Sequence, residues 1–200
     1  MTIEQVLVIE RSKLFDGPIA PSGFSADNLS GILRHIQTQA YFIDRPQAEN
    51  NPLLKQIIPY LVITYGDEVF LLQRYATQTE SRLHNKYSIG VGGHINPVKK
   101  SRNVPHDIIE QALKRELNEE LLIKNIGQPE LIGYINDDAN DVGSVHFGMI
   151  HRLAVRNKAD VEVAEKDLMS GRFITMSDLE SYYDQMETWS QILTKALFLK

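Results

Sequence analysis

The chain has 200 residues, 42% of them hydrophobic, with no cysteine and a formal net charge of −5. That is enough apolar material for one well-buried domain with an appendage, and too little chain for a second full catalytic domain. The acidic balance argues against bulk attraction to nucleic acid or anionic membranes, although a local basic pocket is compatible with it, and the missing cysteine excludes disulfide and thiol chemistry.

Glu4, Glu10, Arg11 and Lys13 interrupt the first stretch, so no secretory signal is expected there. No stretch approaches the length of a transmembrane helix, and a cytoplasmic location is the expectation. Gln5 to Arg11 reads as a strand. Ser25 is placed to cap a helix in which Leu29, Ile32, Leu33 and Ile36 recur at helical spacing. Ala40 to Asp44 reads as extended. The polar stretch Arg45 to Pro52 is then the expected boundary between an N-terminal extension, residues 1–54, and a main domain, residues 55–200. Ile57 to Tyr65 and Glu68 to Arg74, joined by Gly66-Asp67, read as a hairpin.

Tyr87 to Val91 reads as a short strand that runs into Gly92-Gly93-His94. Paired glycines after a strand let another group approach the backbone closely. A lone Gly-Gly is equally a plain turn, and this one matters because it leads towards the next helix. The loop between them, Ile95 to Pro105, is basic: Lys99, Lys100 and Arg102, with His106 at its exit. It reads either as a solvated surface loop or as a place where an anionic group is recognised.

The helix runs from about His106 to Leu121. At roughly 100° per residue, Ile108, Ile109, Ala112, Leu113, Leu117 and Leu121 share one broad side, and Asp107, Gln111, Lys114, Arg115 and Asn118 the other. Glu116 and Glu120 fall near the middle of the apolar side and Glu119 near its edge. Glu-rich helical sequence is ordinarily a solvated face with i,i+4 ion pairs. Here Lys114 points away and only Arg115 is placed to reach an acid, Glu119. Three clustered carboxylates in a partly buried place are driven to protonate unless a cation is supplied. A divalent metal is the simplest supply, and oxygen-only ligands favour Mg²⁺ or Mn²⁺.

Beyond the helix, Glu130 to Asn136 and Ser144 to Arg156 read as strands joined by the turn Asp137 to Asp141. Gly171 to Thr175 reads as a further strand, and Ser177-Asp178-Leu179-Glu180 as a capping box. Trp189, Ile192, Leu193, Ala196 and Leu197 mark a final helix. Mixed strands flanked by helices, without regular βαβα alternation, read as an α/β chain that is not a doubly wound sheet.

Gly93, Arg115, Glu116, Leu117, Glu119, Glu120 and Ile123 match in order the box G-x5-E-x7-R-E-U-x-E-E-x-G-U, with U aliphatic. By these residues the chain resembles the Nudix superfamily over about Lys55 to Leu179. Three departures stand out. Asp107 takes the place of the box's first glutamate, eight extra residues lie between Gly93 and Asp107, and Leu122 replaces the second glycine. That glycine ordinarily serves as a left-handed helix stop, so its loss predicts a helix continuing to about Lys124 and ending at Asn125 or Gly127.

The resemblance implies a Nudix-like α/β/α sandwich and hydrolysis of a nucleoside diphosphate linked to another group, or of a similar organic pyrophosphate, with Mg²⁺ or Mn²⁺ as cofactor. On it Glu116, Glu119 and Glu120 are metal ligands, one of them able to accept a proton from water. The Gly93 carbonyl is an additional ligand, and Arg115 orients a carboxylate. Asp107 is a weaker candidate because it faces away on the wheel. Substrate-binding candidates are Arg74, Gly92, Gly93, His94 and His146, with a surface arginine and a packed histidine as the plain alternatives for Arg74 and His146. His151 points to the opposite face of its strand from His146. Glu162 and Glu165 stand where some Nudix enzymes resemble one another in placing an extra acid, and they read equally as solvated. The partner implied is a small phosphate-containing molecule, and a homodimer is compatible with the chain. Leu71-Leu72-Gln73-Arg74 followed by Gly93-His94 also looks like isopentenyl diphosphate isomerase, an enzyme type that relies on a cysteine this chain lacks. A non-catalytic Nudix-like module that binds a nucleotide or sugar phosphate is the competing reading; the inserted loop and missing glycine favour it, and the intact glutamates favour catalysis.

Overall fold

The computed structural model describes residues 3–15, 20–75, 86–97, 107–125 and 127–199. The class is mixed α/β. Two compact units emerge from one chain: Met1–Tyr60, Gly93–Lys114 and Ile132–Ile150 form the first, and Leu61–Gly92, Arg115–Leu131 and His151–Lys200 the second. Among the described residues no helix is long and apolar enough to cross a membrane.

The first unit is organised by β1 (Gln5–Glu10), whose Val6 to Ile9 are all fully buried. A run buried on both faces needs partners on both edges, and β1 has them. After α1 (Arg11–Leu14), β2 (Gly23–Ser25) and α2 (Leu29–Gln39), the chain forms β3 (Tyr41–Asp44), which pairs antiparallel with β1 from Val8↔Tyr41 to Gln5↔Asp44. The other edge takes β4 (Leu54–Tyr65) through Val8↔Gln56, Ile9↔Lys55 and Glu10↔Leu54. The polar stretch before β4 contains a short helix, α3 (Arg45–Glu49), with Pro46 in its first turn, where proline costs no hydrogen bond. Its Ala48 packs with Val6, Val8, Ile43 and Leu54. The β1–β4 ladder therefore runs across position 54, from Leu54 to Gln56.

Two local expectations change in this unit. Ser25 ends β2, which pairs with β9 (Glu130–Asn136), and its hydroxyl accepts from the Asp27 amide instead of capping the helix. The residue before α2 is Asn28, held in the left-handed region at φ 50° with no side-chain cap. The strand expected from Ser144 begins two residues later as β10 (His146–Ala154). Ahead of it Asn140 accepts the Gly143 amide and starts a short helix, α5 (Asp141–Val145), because an Asn side chain offers the backbone a helical start in place of a ladder. Gly143 is required there, since a Cβ would lie 2.1 Å from the Asp137 carbonyl oxygen.

In the second unit the hairpin forms as expected: Thr64↔Val69 and Tyr65↔Glu68 flank Gly66 at φ 57°, joining β4 to β5 (Glu68–Arg74). The outer edge of β5 carries β12 (Met169–Thr175) in seven pairs, from Met169↔Arg74 to Thr175↔Glu68. Further along, β6 (Tyr87–Ser88) pairs with β5, and β7 (Gly90–Gly92) follows it, so the expected single strand is broken at Ile89. The Ile89 amide donates to the Ser190 hydroxyl. The capping box at Ser177 does not form. Thr175 donates its hydroxyl to Asp178, and Met176–Gln185 winds as a 3₁₀ stretch. The final helix, α6 (Thr188–Leu193), is capped by Glu187, which accepts from the Trp189 and Ser190 amides; it runs on as a π turn from Thr194 to Phe198.

Candidate active site

The acidic helix, α4 (Ile108–Glu120), follows its own periodicity. Ile108, Ile109, Ala112, Leu113 and Leu117 are buried, whereas Glu110, Gln111, Lys114, Arg115 and Asn118 are exposed. Lys114 answers Glu110 at 2.8 Å on the wet face, as an i,i+4 pair should. The side chains of Glu116 and Glu120, one turn apart, are only 12% and 20% exposed, and that of Glu119 is 58% exposed. Two of the three acids are thus turned inward, and the third stands at the rim.

The inward acids meet arginines. Arg74, the last residue of β5 and itself 13% exposed, donates from Nη2 to Glu120 Oε2 at 2.6 Å. Arg115 Nη2 stands 2.7 Å from Glu116 Oε1, and its Nη1 is 3.7 Å from Glu119 Oε1. Sequence spacing pointed Arg115 at Glu119; the structure brings it closer to its neighbour Glu116. Charge-assisted contacts of this length hold a carboxylate in a defined rotamer.

The helix ends earlier than its missing glycine implies. In place of a continuation to Lys124, β8 (Leu121–Ile123) begins at once and pairs antiparallel with β11 (Val161–Val163), Leu122 opposite Glu162. The Ala164 amide donates to the Glu120 carbonyl at 2.9 Å, satisfying an end carbonyl that a left-handed glycine stop would otherwise serve. The positive-φ residue is instead Asn125, at 53°. The segment 164–168 is also tied to the Tyr75 amide through the Leu168 carbonyl, next to Arg74 in the chain. Glu165 in that segment is exposed, and exposed Glu162 stands 3.4 Å from Lys166. The solvated reading holds for both acids.

Gly93, His94 and His146 belong to the first unit. Gly93 and His94 are half-buried. The segment they begin is fastened to β1: Leu7 donates its amide to the Ile95 carbonyl, and Asn96 donates to Glu4 and to the Gln5 carbonyl. His146 is buried, its Nδ1 2.6 Å from the Val142 carbonyl oxygen. A carbonyl only accepts, so Nδ1 carries the proton and Nε2 is the acceptor in the neutral ring. The His94 ring lies edge-on to it, with centroids 5.6 Å apart. His151 is buried as well. Nearby Glu4 has a carboxyl held below its ordinary range: burial works against this, and hydrogen bonds from Asn96 and Arg45 outweigh it, helped by the proximity of His94. Asp107 is exposed and accepts from Gln111, in keeping with its outward wheel position. Lys99, Lys100, Arg102 and His106 lie outside the described residues.

Sequence reasoning missed Lys55. Its side chain is fully buried, and Nζ donates to Asp138 Oδ1 and to the Gly143 carbonyl, both at 2.8 Å, with the His146 carbonyl oxygen at 3.3 Å. Asp138 also receives both Nη groups of Arg11 and the Asn136 amide. Its pKa is pulled well below the ordinary range, because the hydrogen bonds from Arg11 and Lys55 overcome the opposing effect of burial. For Lys55 burial wins and lowers the pKa, and Asp138 offsets only part of it. Lys55 stands with Gln56 just ahead of the apolar run of β4, where a charged residue in sequence reads as a solvated strand end and gives no signal of burial.

Among the described residues no three acidic or histidine side chains are already gathered around a point. The donor chemistry nevertheless fits a hard divalent ion. Glu116, Glu119 and Glu120 offer only carboxylate oxygens, two of them withdrawn from water, and they outnumber the two arginines beside them.

No family model matches the chain. It is similar to Protein YmaB of Bacillus subtilis, 37% identical over 201 residues that span 97% of each chain. The crystal structure of "Tm1382, a putative Nudix hydrolase" is 30% identical, with 98% of each chain covered and a TM-score of 0.82. A bifunctional NMN adenylyltransferase/ADP ribose pyrophosphatase from Francisella tularensis, solved with AMP and a manganese ion, is similar in fold alone: 16% identical, TM-score 0.51, 72% of this chain and 41% of that one covered.

Proposed function

The chain belongs to the Nudix superfamily, and from that premise we propose that it is a divalent-metal-dependent hydrolase of the diphosphate linkage in a nucleoside diphosphate derivative or a similar organic pyrophosphate. Its family supports hydrolysis of pyrophosphate bonds in general. The observation that carries the finer reading is the inward turn of Glu116 and Glu120 on the otherwise apolar stripe of α4.

Glu116, Glu119 and Glu120 would hold Mg²⁺ or Mn²⁺; the Gly93 carbonyl is the additional ligand that the family resemblance implies. When bound, such an ion neutralises diphosphate charge and makes a coordinated water a better nucleophile. Arg115 fixes the Glu116 carboxylate so that its oxygens keep one orientation. In hydrolysis a water oxygen bonds to phosphorus, the bond from phosphorus to the bridging oxygen breaks, and one of the three glutamates takes the proton that the water gives up. Arg74 contributes a planar fork suited to phosphate oxygens. His94 and His146, whose rings lie edge to face, are the further candidates for substrate contact, and the Gly92-Gly93 backbone permits close approach of a ligand. The cytoplasm is the proposed location.

One observation favours a second reading, a module that binds nucleotide or sugar phosphate without turnover: arginines already stand against Glu116 and Glu120. A panel of nucleoside diphosphate derivatives assayed with Mg²⁺ and then Mn²⁺ separates the two. Turnover that disappears in folded Glu119→Gln and Glu120→Gln variants supports the hydrolase. Equal activity in those variants removes the assignment, and saturable nucleotide binding with no turnover moves the module reading to first place.

A further inference from the structure

We infer that Arg74 occupies the place of the cation at Glu120 and is displaced when a divalent ion binds, which frees its guanidinium for a phosphate oxygen of the substrate. The inference rests on the reading of Glu120 as a metal ligand and adds to it a regulated hand-off within the same site. Arg74 ends β5, and Met169↔Arg74 fixes its backbone, as does the bond from its amide to the Lys86 carbonyl. The Glu120 end is fixed by the Ala164 amide on its carbonyl. Between two anchored backbones the only adjustable parts are the side chains, and these meet at 2.6 Å, with 13% and 20% exposure. A half-buried carboxylate needs a positive partner, and the Arg74 guanidinium supplies one.

A divalent ion held by Glu116, Glu119 and Glu120 would put two positive charges beside Arg74 and take up the oxygens that Arg74 now uses. Like charges at such separations repel strongly where water is scarce. The long, flexible arginine stem lets the fork swing away while Cα stays in the ladder. A diphosphate brings fresh anionic oxygens, and a planar fork matches them better than an ammonium would. The pair thus keeps Glu120 from standing as an unpaired buried charge between turnovers, at the cost of weaker metal affinity.

That cost gives the test a sign that a purely structural arginine would not produce. Binding of Mn²⁺ to the full chain, without substrate, is followed by the electron paramagnetic resonance of the free ion and by calorimetry. An apparent Kd is raised by the fraction of sites held in a competing state, so a pair formed nine times in ten weakens binding roughly tenfold. Arg74→Met, which keeps the apolar stem, is expected to bind Mn²⁺ about tenfold more tightly than the parent, and Arg74→Lys to fall between them. In a Glu120→Gln background Arg74→Met should change the affinity little, because the contested ligand is gone. At saturating Mn²⁺ the Arg74→Met KM for a diphosphate substrate should rise several-fold. Circular dichroism and thermal melts identify any variant that has lost its fold, and Arg74→Lys provides the comparison if Arg74→Met has. Unchanged or weaker Mn²⁺ binding in folded variants overturns the inference. Tighter binding without turnover of any diphosphate overturns the hydrolase reading and leaves the competition for Glu120 standing.

Discussion

At the scale of the residue, the Lys55 side chain is fully buried, and its three oxygen neighbours explain how its charge persists. Removing the anion should cost more than removing the cation. Asp138→Asn leaves a buried ammonium with weaker acceptors, whereas Lys55→Met leaves a carboxylate that Arg11 and Asn136 still hold. Because Asp138 is a third exposed, solvent screening reduces the full buried-pair penalty to about 2 kcal/mol for Asp138→Asn, against about 1 kcal/mol or less for Lys55→Met. Urea titration at neutral pH checks the order. The pH dependence has a definite sign. A carboxyl whose folded pKa is depressed contributes stability above its ordinary unfolded value, and loses that contribution as pH falls towards the folded one. The stability gap between the parent and Asp138→Asn should therefore narrow below about pH 4, and a gap constant down to pH 2 would show that Asp138 is not the group responsible. Glu116 and Glu120 were legible as misplaced acids because a helix has a simple period. Lys55 was not, because one lysine in a strand says nothing about which carbonyls will come to it.

Elements ended where pairing, rather than local propensity, put the boundary. Without its glycine α4 was expected to run on to about Lys124, yet it ends at Glu120, since β8 is captured by β11 and the Ala164 amide takes the Glu120 carbonyl. Leu122→Gly, although it restores the family's residue, should weaken β8 by up to about 1 kcal/mol through lost strand propensity. It should leave Mn²⁺ affinity unchanged, as thermal melts and calorimetry on the same sample would show. The turn before β10 makes a sharper demand. Gly143→Ala places a methyl 2.1 Å from the Asp137 carbonyl oxygen, a backbone atom that cannot rotate aside. A loss of about 1–3 kcal/mol is expected, with protection of the amides of 141–146 in hydrogen exchange reduced first. For α4 the sequence shows which residues favour a helix, but the bond that closes its end comes from the Ala164 amide, far along the chain, and no local pattern encodes it.

At the scale of the whole molecule, the first 54 residues bear on how the rest folds. Strand β1 occupies an edge of β4 through Val8↔Gln56, Ile9↔Lys55 and Glu10↔Leu54, and Val6 and Val8 share an apolar cluster with Leu54. A chain starting at residue 55 would lose those ladder bonds and leave the backbone at Lys55 and Gln56 without its β1 partner, an open strand edge that invites aggregation. Expression of residues 55–200 is expected to give insoluble or unfolded material, judged by solubility and circular dichroism, and a cooperatively melting soluble product would show that the extension is dispensable. The stretch Arg45 to Pro52, expected as a boundary because it is polar, contains α3, whose Ala48 is buried.

By itself the sequence determined the chemistry that is local: strands β1, β4, β5 and β9, the apolar stripe of α4, and the two glutamates that lie on it. Periodicity of two or 3.6 residues writes these directly into the order of side chains. Tertiary structure alone decided that Arg74 would stand on Glu120, that α4 would stop through a strand pairing, and that Lys55 would join Asp138 across 83 positions of chain. Those contacts depend on which backbones are brought alongside one another, and burial and hydrogen-bond satisfaction settle that only when the whole chain folds.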